Sequence, residues 1–133
     1  MDYDRSIRIL YVDDSQTIRD LVESCLIDLG YLDIESAEDG VDALRVCDEA
    51  EDEFDFIITD INMPNMDGIR LIQELRNKVD YMSTPIMVLT TEWSKEMKKK
   101  GKEAGATSWI VKPFDKELIH KGILETIKRV EES

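Results

Sequence analysis

Cysteine is scarce in this 133-residue sequence, with only Cys25 and Cys47 present. Two are too few for a disulfide framework, and no CxxC pair points to zinc. Both sit inside apolar helical patterns and read as small core residues. Long hydrophobic runs are missing as well: no stretch approaches the roughly 20 apolar residues of a membrane span. The opening Met1-Asp2-Tyr3-Asp4 has no basic segment followed by an apolar run, so no signal peptide is expected and the chain reads as soluble and cytoplasmic. Neither GxGxxG nor GxxxxGK[ST] occurs, which leaves nucleotide binding without support. Basic residues are outnumbered, 17 Lys and Arg against 30 Asp and Glu, for a net charge of −13. Such a balance argues against a general nucleic-acid binder and against docking on an anionic membrane.

What is present is enough for a core. Hydrophobic residues make up 42% of the chain, and its length suits one domain, taken as residues 1–133. The charge is unevenly placed: residues 1–60 carry 19 acids and 4 bases, whereas residues 61–133 carry 11 acids and 13 bases. The plain explanation is a solvated face. The sharper one is an acidic pocket in the first half and a partner-facing patch in the second.

Apolar runs alternate with helical periodicity throughout. SIRILYV (6–12), FDFIITDI (54–61) and PIMVLT (85–90) read as strong strands, 31–36 as a weak one, and 109–111 as a fifth. Between them, helical spacing links Ile18 to Leu29 with Gly30 as a stop, Val41 to Ala50, Ile69 to Val79, Trp93 to Ala104 with Gly105 as a stop, and Leu118 to Val130. Five strand-then-helix repeats with near-continuously apolar strands predict an α/β fold with a doubly wound parallel sheet. In such sheets the ligand site lies beyond the carboxyl ends of the strands.

The polar residues at those ends are therefore the ones to read. Asp13 and Asp14 follow the first strand, Asp60 the third, Thr90 and Thr91 the fourth, and Lys112-Pro113 the fifth. Singly, each has an ordinary explanation: a helix cap, a loop acid, a β-branched strand end, a solvated lysine. Jointly, they gather three carboxylates, hydroxyls and one ammonium on one rim. Two carboxylates about 4 Å apart repel by about 4 kcal/mol at an effective dielectric near 20, so three ask for a cation. Hard oxygen ligands on loops suit Mg²⁺, and an Asp beside it can act as a nucleophile toward a phosphoryl group. Lys112 and the Thr90 hydroxyl would hold phosphoryl oxygens.

The segments YVDDSQTIRDLV, FIITDINMPNMDG, PIMVLTTE and GATSWIVKPF, in this order and spacing, resemble the receiver domain of two-component response regulators, most closely the single-domain, CheY-like chemotaxis regulators. The resemblance covers nearly the whole chain. It implies the flavodoxin-like strand order 2-1-3-4-5, of which CheY is an established example. It also implies Asp60 as phosphoacceptor, Asp13 and Asp14 with the Asn62 backbone carbonyl as further Mg²⁺ ligands, Thr90 as the switch hydroxyl, Lys112 as the phosphate-binding lysine, and a cis Lys112-Pro113 bond. By the same resemblance a histidine kinase is the donor, and the protein is a phosphoacceptor with intrinsic autophosphorylation and autodephosphorylation, not an enzyme in its own right. Trp109 matches an aromatic position that changes rotamer on phosphorylation, though a packed strand residue would look the same.

The switch and partner surface then comprises Trp109, Thr91, Glu92, Lys95 and Lys99. Lys95, Lys98, Lys99, Lys100 and Lys102 crowd the fourth helix, either as a solvated face or as a docking surface for an acidic or amphipathic segment. The resemblance favours a flagellar motor switch protein as partner, with a phosphatase as another. A phosphorelay intermediate, or a receiver cut from a longer regulator, shares the same pocket.

Two further motifs fail. Counted as a calcium loop from Asp60, position 5 is Pro64, position 6 Asn65 and position 12 Leu71. An aspartyl-nucleophile phosphatase would want an acid two residues after Asp60, where Asn62 stands and cannot exchange a proton near neutrality. His120, the single histidine, reads as a surface or flank residue of the last helix and not a phosphorelay histidine.

Overall fold

The computed structural model describes residues 4–133, so the reading of Met1 to Tyr3 lies outside the described residues. Along the chain run β1 (Ile9–Val12), α1 (Gln16–Asp28), β2 (Ile34–Ala37), α2 (Gly40–Glu49), β3 (Phe56–Thr59), α3 (Gly68–Arg76), a 3-10 turn (Val79–Tyr81), β4 (Ile86–Thr90), α4 (Lys95–Ala104), β5 (Ser108–Val111) and α5 (Lys116–Glu131). The strands pair in parallel in the order β2-β1-β3-β4-β5. Strands β1, β3 and β4 are buried at every position, as expected where helices cover both faces of a sheet.

Alternation along these strands feeds two cores. Leu10, Val12, Ile57, Ile86 and Val88 pack with Ala43 and Cys47 of α2, Leu71, Ile72 and Leu75 of α3, and Met97 of α4. Ile9, Tyr11, Phe56, Ile58, Met87 and Leu89 pack with Val22 and Leu26 of α1 and Ile119 and Ile123 of α5. A side chain caps the start of every α-helix: Ser15, Asp39, Asp67, Ser94 and Asp115 each accept a backbone N–H of the first turn. Such caps stabilise by about 1 kcal/mol each. No helix is long and apolar enough to cross a membrane among the described residues.

Several boundaries differ from the sequence reading. β1 begins at Ile9 and not Ser6, and β3 spans Phe56–Thr59 within the longer apolar run. Val79 is 84% exposed in the 3-10 turn, beyond the end of α3 at Arg76. Trp93 precedes the Ser94 cap of α4 and is 74% exposed, so it contributes nothing to the helix's apolar face. Cys47 is buried but Cys25 only partly so, and both are free thiols.

Candidate functional site

Strand register builds the site. Val12 pairs with Thr59, which places Asp13 and Asp60 side by side as the next residues of β1 and β3. These strands flank the point where strand order reverses, since the chain passes from β1 out to β2 and returns to β3. Thr90 pairs with Val111, so Lys112 enters the same rim at the end of β5, and the bond that follows it, Lys112-Pro113, is cis. The loop after Asp60 returns tightly: Gly68 N–H donates to Ile61 O at 2.8 Å, and a Cβ at Gly68 would lie 2.1 Å from the Asp60 carbonyl. Only glycine allows α3 to start against that backbone.

The side chains then converge. Asp13 and Asp60 are buried, at 5% and 9% exposure, while Asp14 is exposed. Carboxylate oxygens of Asp13, Asp14 and Asp60 lie within 4.8 Å of one another. Lys112 Nζ donates to Asp13 Oδ2 at 2.7 Å and to Asp60 Oδ2 at 3.2 Å. The other Asp13 oxygen accepts the Ser15 N–H at 2.9 Å, and Asp60 Oδ1 accepts the Ile61 N–H at 2.6 Å. Burial raises the Asp13 pKa above the usual carboxylate value, against the pull of the Lys112 ammonium and the Ser15 N–H, with the Asp60 charge adding to the rise. Burial works to lower the Lys112 pKa, but the hydrogen bond that Lys112 donates to Asp13 and the charges of both carboxylates outweigh it, so the pKa is raised and the ammonium stays charged.

This donor set fits a divalent cation. Three carboxylates facing one ammonium leave a formal charge of −2 on a rim of hard oxygen ligands, the chemistry that suits Mg²⁺. Around it, Thr90 is fully buried, and its Oγ1 accepts the Glu92 N–H at 3.3 Å. Asn62 turns its side-chain amide to Glu92, donating from Nδ2 to Oε1 at 3.2 Å. Trp109 donates from Nε1 to the Glu92 carbonyl at 2.9 Å. Glu92 therefore joins Asn62, Thr90 and Trp109, a role that its place on the expected partner surface did not foretell.

Thr91, which adjoins Glu92 in the chain, and Lys95 and Lys99 of α4 are exposed. Lys98, Lys102, Trp109 and Arg129 line a cavity of about 240 Å³ between α4, β5 and α5. Arg129 escaped the sequence reading, because its helix lies next to α4's end only in three dimensions. His120 sits half-buried on α5 with a shielded Nε2, more enclosed than a surface residue.

Comparison with known proteins agrees with this geometry. The family model of the response regulator receiver domain matches residues 9–124. The chain is 37% identical over 110 residues to the chemotaxis protein CheY-3 of Vibrio cholerae, covering 83% of each chain. It is 33% identical over 124 residues to the chemotaxis protein CheY of Pseudomonas aeruginosa, covering 93% of this chain and 98% of that one. The solved structure of the chemotaxis response regulator CheY4 of Vibrio cholerae superposes with a TM-score of 0.80 at 45% identity, covering 94% of this chain and 98% of the other.

Proposed function

The chain belongs to the response regulator receiver domain family, and from that premise we propose that it takes a phosphoryl group from a histidine kinase onto Asp60 and thereby reshapes a surface on α4, β5 and α5. The observation that supports this most directly is Lys112 bridging Asp13 and Asp60, with Asp14 completing the carboxylate set. An Asp60 carboxylate oxygen attacks the phosphorus of a phosphohistidine. The new P–O bond forms as the P–N bond breaks, and the departing imidazole takes up a proton. Asp60 Oδ1 is oriented by the Ile61 N–H, which leaves Oδ2, now on Lys112, as the oxygen to be phosphorylated.

Asp13, Asp14, Asp60 and the Asn62 carbonyl would hold Mg²⁺, which supplies charge neutralisation for the incoming phosphoryl group. Lys112 then donates to a phosphoryl oxygen in place of the carboxylate, and the Thr90 hydroxyl donates to another. Rotation of Thr90 toward the phosphate gives up its contact with the Glu92 N–H. That step carries the change to the node that Trp109 shares. The same pocket admits small phosphodonors and water, giving intrinsic autophosphorylation and autodephosphorylation.

The relatives named chemotaxis proteins favour a flagellar motor switch protein as the output partner, with a phosphatase acting at the same rim. The exposed lysines of α4 suit an acidic segment of such a partner. The test is labelling by a small phosphodonor with Mg²⁺, followed by capture on a motor-switch N-terminal peptide. Asp60→Asn should abolish labelling and phosphodonor-dependent capture while keeping the fold. Persistent labelling would remove Asp60 from its assigned role, and capture indifferent to phosphodonor would remove the motor-switch partner.

A further inference from the structure

Gly101 stands inside α4, where a glycine weakens a helix and alanine would serve better. It is buried, and a Cβ built there would lie 2.5 Å from Trp109 Cζ3 and 2.9 Å from Cε3, with Ile69 Cδ1 next at 3.7 Å. The benzo edge of the indole thus rests on the helix backbone, in space that every other residue type would fill. From that seat its pyrrole nitrogen reaches the Glu92 carbonyl at 2.9 Å. Trp109 is held at both ends, by a slot in α4 and by a hydrogen bond to the β4–α4 loop. Through Glu92 the same loop holds Asn62, two residues beyond Asp60.

We infer that Gly101 is a positioning residue: its missing side chain seats the Trp109 indole before any phosphorylation, and the seated indole both latches the β4–α4 loop and forms one wall of the basic cavity beside Lys98, Lys102 and Arg129. The consequence for signalling rests on the function proposed above, but the seat itself belongs to the unphosphorylated chain. Residue 101 therefore sets which aromatic the switch position can take inward. A Cβ at 101 expels the indole, and the loop loses its latch.

The experiment uses the full chain with Trp93→Phe, since Trp93 is exposed and would mask the other indole. No Mg²⁺ or phosphodonor is added, so the outcome is independent of whether Asp60 is phosphorylated. Gly101→Ala should move Trp109 emission to longer wavelength, raise its acrylamide quenching at least twofold, and speed exchange of the indole N–H proton at least tenfold. It should lower the urea midpoint when Trp109 is present and raise it in a Trp109→Ala background, where the slot is empty and only helix propensity remains. If Gly101→Ala fails to fold, restored folding on adding Trp109→Ala gives the same support. Unchanged emission and exchange, a raised midpoint in both backgrounds, or misfolding in both would overturn the inference.

Discussion

Lys112 lies nearer to Asp13 than to Asp60, at 2.7 Å against 3.2 Å. Its one ammonium pairs with these two buried carboxylates, and an oxygen of Asp14 lies within 4.8 Å of theirs, so like-charge repulsion remains in the metal-free site. Asp13→Asn removes one of the repelling charges; its single oxygen can accept from either Lys112 or the Ser15 N–H, and Lys112 keeps its contact with Asp60. The substitution should raise metal-free stability by about 1 kcal/mol. Urea midpoints in chelator check this, and a lowered midpoint would mean that the Lys112–Asp13 attraction outweighs the repulsion.

Removing the ammonium should separate two activities that share the pocket. Lys112→Met deletes a positive charge that competes with Mg²⁺ for the same oxygens, so Mg²⁺ should bind on the order of tenfold tighter by calorimetry. The same change deletes a donor to the phosphoryl group, and labelling from a small phosphodonor should fall about 100-fold. Weaker Mg²⁺ binding together with intact labelling would contradict both roles.

Arg76 illustrates why parts of the fold were hidden in the sequence. Its Nη1 donates to the Tyr81 and Thr84 carbonyls at 2.8 and 2.7 Å, and its Nε and Nη2 donate to Gly105 O at 3.0 and 2.8 Å. This guanidinium ties the end of α3 to the 3-10 turn and to the left-handed Gly105 that ends α4. Helical periodicity carries on to Val79 because spacing cannot register a tie made 29 residues away. Trp93 misled for a related reason: an aromatic at helical spacing reads as core, whereas the Ser94 cap leaves it outside α4. By contrast the rim was legible. Buried parallel strands are apolar throughout, so Asp13, Asp60 and Thr90 at their ends stood out at once. Glu92 was legible only as a member of the partner surface and Gly101 not at all, because what each does lies in what touches it.

Arg76→Lys should accordingly cost about 2 kcal/mol, although the charge is kept. One ammonium cannot span carbonyls on two segments, and burial already pulls the Arg76 pKa below its usual value. Urea unfolding measures the loss, and faster amide exchange at Gly105 and Ala106 would localise it to the end of α4. An unchanged midpoint would show that water replaces the guanidinium at no cost.

Alkaline pH should destabilise the protein through Cys47 and Tyr81, which lie together at 8% and 3% exposure. Burial pushes the Cys47 thiol from 9.0 up to about 11, with Tyr81 pulling the other way and Asp48 adding to the rise. Burial likewise pushes the Tyr81 phenol from 10.0 up to about 12, against the Phe54 N–H that it accepts at 3.3 Å. Both groups are neutral acids whose folded pKa exceeds the unfolded one. Their contribution is therefore whole below pH 9, is lost between about 9 and 11 for the thiol, and between about 10 and 12 for the phenol. Tyr11, whose pKa is raised by burial and then by its hydrogen bond to Glu23, joins the loss above pH 10. Burial also raises the half-buried Cys25 thiol from 9.0, so the interval from 9 to 10 belongs to the two thiols together, and removing Cys25 isolates Cys47. In reducing buffer and a Cys25→Ala background, the urea midpoint should begin to fall near pH 9 with Cys47 present and near pH 10 once Cys47→Ala is added. Coincident pH profiles would show that Cys47 ionises as readily in the folded protein as in the unfolded chain.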